Sequence, residues 1–419
     1  MPCFVAFGSP SLARCVPGTH NQGHRGASQI DPGDIKMSSR ILRREMLAST
    51  AGLGATLLAG TRASQAATSR RDLAQPRWVR KVYSNGRGWH VGNMVKWKGT
   101  YYICFVDGTG HGSEDSRIRV SSSTDLKNWT SQIVTGRTHI DPQLLPVGDK
   151  LFVYAVKIDV QKKTDSGSPS WEVMASTTDG KNWSEPKRCF LMNNDFWHPV
   201  EHHGRYYITC DNAGHVPSGS NCKVDLLTSM DGERWTWVSE IIHGSDQPGD
   251  EKTPSEHWPY FDEINKVYFG TRRPSETALC FLDDGRLLAI TRAIGYMACI
   301  SIADPPYTDW NQYPRRLSHT SRCYGAAIQR VGKHIVVTGR YQADQNPDGS
   351  LGIKGAATGV FLYKDGDIKL HALLPSGFDT GYAGILPYTE NEALIAYYSS
   401  HEHSPSPGSN VYLASVPLA

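Results

Sequence analysis

Three seven-residue segments in one frame constrain this chain more than any other feature. They are Ser123-Thr-Asp125-Leu-Lys-Asn-Trp129, Thr177-Thr-Asp179-Gly-Lys-Asn-Trp183 and Ser229-Met-Asp231-Gly-Glu-Arg-Trp235. Each runs hydroxyl residue, one spacer, Asp, three residues, Trp, and the Asp residues are 54 and 52 positions apart. Such a segment does structural chemistry. The carboxylate accepts backbone N–H bonds in a tight turn, and the indole packs between modules. A degenerate fourth copy runs from Ser301 to Trp310. A period near 50 residues implies one supersecondary unit used repeatedly.

A second repeat is interleaved. Helical periodicity is nearly absent after residue 75, and short alternating or fully apolar runs take its place, broken by Gly, Asp, Asn and Pro. Hairpins begin near Gly92, Pro142, Trp197, Thr277, Gly325 and Gly381. A hairpin cannot bury its own apolar face, whereas radial packing of four-stranded blades can. The pattern predicts an all-β chain folded as a six-bladed β-propeller, with a five-bladed propeller as the alternative.

Charge excludes one class of function. The chain carries a formal net charge of +3, but residues 1–66 hold seven Arg/Lys against three Asp/Glu, which leaves the remainder at −1. A near-neutral body offers no electrostatic footprint for nucleic acid. No run of 18 or more apolar residues suggests a spanning helix.

Residues 1–66 have their own reading. Adjacent Arg43 and Arg44, a mild apolar stretch from Ala48 to Gly60, and small residues from Ala63 to Ala67 follow the order of an export signal. The arginine pair and the glycines within the apolar stretch resemble a bacterial twin-arginine signal; a short buried helix is the plain alternative. Residues 1–36 then read as a mis-started extension, 37–66 as the signal, 67–79 as a linker and 80–419 as the propeller, exported to the periplasm or beyond. Seven of the nine cysteines lie in the body with no C-x-x-C pair, so buried thiols are expected, with Cys210 and Cys222 the first pair to consider for a disulfide.

The Asp…Trp turns resemble the Asp-box repeats of the sialidase (neuraminidase) superfamily, over roughly residues 80–419. Similar turns occur in the five-bladed arabinanase and invertase clans. The sialidase resemblance implies a retaining glycosidase with a Tyr nucleophile, a Glu that takes its proton, an Asp acid/base and three Arg residues holding a substrate carboxylate. A neutral Tyr suits an anionic sugar because it attacks with less repulsion than a carboxylate, and forked guanidinium contacts orient the acid group.

Carried over by position, Phe378-Asp-Thr-Gly-Tyr382 matches the segment where the nucleophile opens the last hairpin, which points to Tyr382. Glu276, opening one strand, and Arg292, closing the next, match the family's Glu…Arg hairpin, and Arg340 holds the corresponding place one blade later. The plain alternatives are an aromatic plug at Tyr382 and a surface ion pair at Glu276 and Arg292. The first blade departs from the pattern: His90 stands where the first Arg belongs, and Arg87 lies three residues earlier. Asp115, with His111 nearby, matches the acid/base loop. Asp141 opens a strand toward the channel, and Trp197 and His198 read as part of a sugar-stacking rim, as do Trp89 with His90 and Glu256-His257-Trp258. Neither a cofactor nor a metal set is implied. The partner is a carbohydrate, the mature chain has no membrane span, and a monomer is expected. A carbohydrate-binding propeller without turnover, or a different reaction on an acidic sugar, stays open.

Overall fold

Each hairpin of the sequence pattern becomes the first two strands of a four-stranded antiparallel sheet. The structure is a computed structural model. It describes residues 73–110, 112–162, 168–212, 222–244, 261–262, 267–268, 274–293, 298–313, 316–318, 322–342, 356–403 and 408–419, all within one unit, Ala66–Ala419. The extension, the export signal, His111 and Glu256-His257-Trp258 lie outside the described residues.

Six such sheets follow one another, which settles six blades over five. Strand β1 (Trp78–Tyr83) comes first. Blade 1 holds β2 (Gly88–Trp97), β3 (Thr100–Asp107), β4 (Arg117–Ser123) and β5 (Thr130–Ile133). Blade 2 holds β6 (His139–Val147), β7 (Lys150–Ile158), β8 (Ser170–Thr177) and β9 (Lys187–Met192). Blade 3 holds β10 (Asp195–His202), β11 (Arg205–Asp211), β12 (Lys223–Ser229) and β13 (Thr236–His243). A two-stranded pair, β14 (Phe261–Asp262) and β15 (Val267–Tyr268), precedes blade 4, which holds β16 (Pro274–Phe281), β17 (Leu287–Ala293), β18 (Cys299–Ala303) and β19 (Arg316–Leu317). Blade 5 holds β20 (Tyr324–Val331), β21 (His334–Gln342), β22 (Ala356–Lys364) and β23 (Asp367–Leu373). Blade 6 holds β24 (Thr380–Thr389), β25 (Glu392–Ser399), β26 (Asn410–Pro417) and, paired to β26, the N-terminal strand β1. That last pairing, with Trp78 opposite Ser415, closes the ring by hydrogen bonds between the two ends of the body.

Burial is concentrated in the inner strands. The first seven residues of β2 and all of β25 are buried, whereas outer strands such as β5 and β9 are mostly exposed. The first strands contact one another in a closed circuit, β2–β6–β10–β16–β20–β24–β2, and so line the central axis. The Asp…Trp turns connect the third and fourth strands. Asp125 Oδ1 accepts from Lys127 N at 2.9 Å and Asn128 N at 2.8 Å, and Asp179 and Asp231 repeat the pattern. These turns fasten each blade to the one before it. Tyr154 of blade 2 donates to Gly232 O, and the Trp235 ring stands 5.9 Å from the Tyr154 ring. The degenerate copy keeps only the indole role: Trp310, buried, donates to Ser239 Oγ of blade 3 at 3.0 Å.

The feature that positions a site is a bulge repeated at the start of every innermost strand. The strand register slips past Trp89, Ile140, Trp197, Ser275, Tyr324 and Gly381. At those slips sit six residues with left-handed backbone: His90 (φ 37°), Asp141 (50°), His198 (50°), Glu276 (21°), Gly325 (63°) and Tyr382 (42°). A bulge leaves one residue out of the ladder and re-aims its side chain, and for non-glycine residues this conformation costs about 1–2 kcal/mol each. One side chain per blade is therefore delivered at the axis, at strained backbone, by five blades, and a glycine by the sixth.

No disulfide joins the cysteines of the described residues; Cys210 is a buried thiol whose Sγ contacts Asn194 Oδ1, so the Cys210–Cys222 bridge does not form.

Candidate active site

Tyr382, Glu276 and Arg292 meet although they come from blades 6 and 4. The Tyr382 hydroxyl donates to Glu276 Oε1 at 2.7 Å and accepts from Arg292 Nη1 at 2.9 Å, and Arg292 Nη1 also donates to Glu276 Oε1. Arg292 lies over the Tyr324 ring, 4.6 Å from its centroid. The other carboxylate oxygen, Glu276 Oε2, accepts Gly325 N–H at 3.1 Å, and Glu276 N–H is donated to Asp211 Oδ2 at 2.9 Å. The carboxylate is thus fixed in direction, with one oxygen held by backbone and the other turned to the phenol.

Electrostatics follow from burial. Tyr382 is 5% exposed. Removal from water pushes its phenol well above the ordinary tyrosine value, with Arg292 pulling the other way. The resting hydroxyl therefore keeps its proton. Burial alone would lower Arg292, but Glu276 and Tyr382 outweigh it and hold the guanidinium firmly charged. A neutral phenol with a carboxylate to take its proton, and a cation beside its oxygen, is the arrangement of an activated nucleophile.

Two rings fix the Tyr382 ring. His90 stacks on it at 4.0 Å and 23°, and Trp197 meets it edge-on at 5.6 Å. Gly325 supplies the space, since a Cβ there would lie 2.7 Å from two ring atoms of Tyr382. His90 Nδ1 contacts Asp141 Oδ1 at 2.9 Å, so blades 1 and 2 contribute a linked pair to the same place. Burial lowers His90 to about 3, which keeps the imidazole neutral near pH 7.

Arg340 is present but engaged. Its Nε donates to Thr380 O at 2.6 Å, and its Nη2 donates to Asp379 Oδ1 at 2.6 Å and to Tyr398 Oη at 3.1 Å. Gly381 admits the arginine backbone, for a Cβ there would meet Arg340 Cβ at 3.1 Å.

Asp115 and Arg87 form a separate network. Asp115 Oδ1 accepts from Thr109 N, Thr109 Oγ1 and Ser113 Oγ, and its Oδ2 accepts from Arg87 Nη2 at 2.8 Å. Arg87 Nε turns to Asp107, which also holds Arg119 and Tyr83. Neither Arg87 nor Asp115 bonds to Tyr382, Glu276, Arg292 or Arg340. Partial burial would raise the Asp115 carboxyl, but the Ser113, Arg87 and Thr109 donors outweigh it and hold it well below the usual carboxylate range. A general acid requires the opposite shift.

Trp197 and His198 do not stand at a rim. Trp197 is 4% exposed and donates its indole N–H to Ala326 O at 2.9 Å, and His198, 8% exposed, accepts Ile328 N–H at Nε2. Both bind blade 3 to blade 5, because the bulge turns them into the channel instead of out to solvent. Trp89 is likewise buried, donating to Gly108 O. Sequence reasoning did not single out Gly325, Asp211, Asp379, Tyr324 or Tyr398. Only Gly325 carried a readable signal, as a glycine inside a strand-like run marks a bulge or close approach.

No family model matches the chain, and no curated protein matches it. Solved structures do. The chain is similar to a protein of unknown function from Dyadobacter fermentans (15% identity, TM-score 0.60, covering 83% of this chain and 99% of that one). It is also similar to the Trypanosoma rangeli sialidase in complex with the inhibitor DANA (13%, TM-score 0.55, 82% and 58%). A third likeness is to the intramolecular trans-sialidase from Ruminococcus gnavus in complex with oseltamivir carboxylate (10%, TM-score 0.53, 81% and 97%). At such identities the likeness establishes the fold: this chain is a six-bladed β-propeller of the architecture found in sialidases.

Proposed function

We propose that this protein is an exported, sialidase-like glycoside hydrolase that removes a terminal sugar with retention, through Tyr382. The observation that carries the reading is the Tyr382 hydroxyl set between Glu276 Oε1 and Arg292 Nη1 at 2.7 and 2.9 Å. In the first step the phenol oxygen attacks the anomeric carbon as the bond from that carbon to the leaving oxygen breaks; Glu276 takes the phenol proton and a general acid protonates the departing oxygen. Arg292 stabilises the negative charge that develops on the phenol oxygen, an effect of about 3–4 kcal/mol for a pre-aimed donor. Water then hydrolyses the glycosyl-tyrosine, and Glu276 returns the proton. In this reading Arg340 would hold an acidic group on the sugar. The twin-arginine-like segment at 37–66 supports export.

A second reading, carbohydrate binding without turnover, draws on His90. It stands in the place of the first arginine, and both remaining arginines already face carboxylates, Arg292 at Glu276 and Arg340 at Asp379. The two readings part on one experiment: release of aglycone from a panel of aryl glycosides, including α-sialosides and uronides, by wild type and Tyr382→Phe. Release by wild type that falls at least 10³-fold in the variant supports hydrolysis. Equal release by both removes Tyr382 from the mechanism. No release, with glycan binding by calorimetry, supports the second reading.

A further inference from the structure

A retaining reaction needs a group that protonates the departing oxygen, and Asp115, with both oxygens occupied by four donors, is poorly placed to carry that proton. We propose that Asp141 is the general acid and base of this site, with His90 as its positioning residue; the inference rests on the glycosidase reading above. Asp141 occupies the bulge position of blade 2, equivalent to that of Glu276 in blade 4 and Tyr382 in blade 6, so the fold delivers its carboxyl to the same axis. Its Oδ1 contacts His90 Nδ1 at 2.9 Å, and the same imidazole stacks on Tyr382 at 4.0 Å. One ring therefore separates the carboxyl from the nucleophile's ring. Asp141 is also close enough to the phenol for its charge to raise Tyr382.

The neighbourhood suits a proton carrier. Asp115 accepts from a guanidinium, which holds a carboxylate ionised, and Asp141 Oδ1 contacts an imidazole kept neutral by burial. Its charge acts on Tyr382, whose phenol also faces Glu276, Arg292 and Arg340, and on buried Glu172 of β8, whose carboxyl is raised by burial first and then by Asp195 and Asp141. The side chain retains 20% exposure, so solvent and substrate can reach it.

The step balances. The bond from the anomeric carbon to the leaving oxygen breaks as the bond to Tyr382 Oη forms. The Asp141 proton goes to the leaving oxygen, and the Tyr382 proton goes to Glu276. In the second half, the Asp141 carboxylate takes a proton from water as the water oxygen bonds to the anomeric carbon, while Tyr382 Oη departs and regains its proton from Glu276.

The test uses the full exported chain and the sugar identified by the aryl glycoside panel, offered with a 2,4-dinitrophenyl and with a methyl leaving group. In Asp141→Asn, kcat/KM on the methyl glycoside is expected to fall about 10²–10⁴-fold, with a loss of less than about tenfold on the dinitrophenyl glycoside, which needs little protonation. Azide should restore dinitrophenyl turnover and yield the glycosyl azide of retained configuration. His90→Asn is expected to shift the pH profile of kcat/KM, which a packing defect alone would not. Equal losses on both leaving groups in Asp141→Asn, or a leaving-group-selective loss in Asp115→Asn instead, overturns the assignment. Failure of wild type to turn over any glycoside, or full turnover by Tyr382→Phe, overturns the glycosidase reading itself, and with it this one.

Discussion

Gly325→Ala asks whether the Tyr382 ring is held where the backbone of blade 5 leaves room for it. Two costs add at this position. An L-residue at φ 63° costs about 1–2 kcal/mol. The new methyl would also lie 2.7 Å from Cγ and Cδ1 of Tyr382, and 3.0 Å from Cδ2. The ring is already packed against His90 and Trp197, so overpacking adds about 1–3 kcal/mol. The total is ~2–5 kcal/mol. With an unfolding entropy of ~2.1 cal/mol/K per residue, a body of about 350 residues loses ~3–7 °C in Tm. Gly99→Ala is the control, since Gly99 has φ 78° with nothing within 4 Å of a Cβ; it carries the backbone cost alone, ~1–3 °C. The assay is thermal unfolding of both variants, repeated for Gly325→Ala in a Tyr382→Ala background. Removing the ring should reduce the cost of Gly325→Ala to that of Gly99→Ala. Turnover should fall about 10²-fold, the effect of moving a reacting atom by ~1 Å. Equal shifts for Gly325→Ala and Gly99→Ala in the presence of the Tyr382 ring would refute the reasoning.

Three further outcomes are expected. Burial lowers His90 to about 3 and His139 and His198 to about 4. The unfolded chain therefore binds their protons first, and their contribution is complete above pH ~6.5 and is lost as the pH falls toward 4. Buried Glu172 is raised and acts in the opposite sense. Denaturant titrations should show stability falling as the pH drops from ~6.5 toward 4, less steeply in His198→Gln; a flat profile would contradict it. Arg292→Lys loses the planar guanidinium that lies over the Tyr324 ring and aims Nη1 at both Tyr382 Oη and Glu276 Oε1, and kcat should fall about 10²–10³-fold in steady-state turnover. Asp179→Ala removes the carboxylate that accepts Lys181 N, Asn182 N and Asn182 Nδ2. It should lower Tm while kcat/KM stays at the wild-type value, because that turn lies at the outer side of blade 2.

The sequence carried the architecture because each blade repeats a local signal. The hairpins at Gly92, Pro142, Trp197, Thr277, Gly325 and Gly381 are the inner strand pairs of the six blades, and the Asp…Trp turns fall between third and fourth strands. The axial bulge residues were legible in part, because a strand start marks their place. His90, Asp141, His198, Glu276 and Tyr382 all sit at bulges at the start of a blade's first strand. What those side chains touch was not legible. Glu276 and Tyr382 are 106 residues apart, so their contact depends on ring closure and not on spacing. The inward turn of Trp197 follows from a register slip with no residue signature of its own. Three of the four donors around Asp115 come from its own loop, whose conformation the sequence pattern leaves undetermined, and the fourth is Arg87 ahead of β2; that is why the loop acid looked more suitable in sequence than its surroundings make it.

The most direct test is to trap the covalent intermediate. The protein would be incubated with fluorinated glycosyl fluorides, both 2-deoxy-2-fluoro sugars and 3-fluorosialosyl fluoride, and examined by intact mass and peptide mapping. One glycosyl adduct on the peptide containing Tyr382, absent in Tyr382→Phe, is the expected result. An adduct on a carboxylate such as Glu276 or Asp141, or turnover that proceeds with inversion and leaves no adduct, would contradict a tyrosine nucleophile.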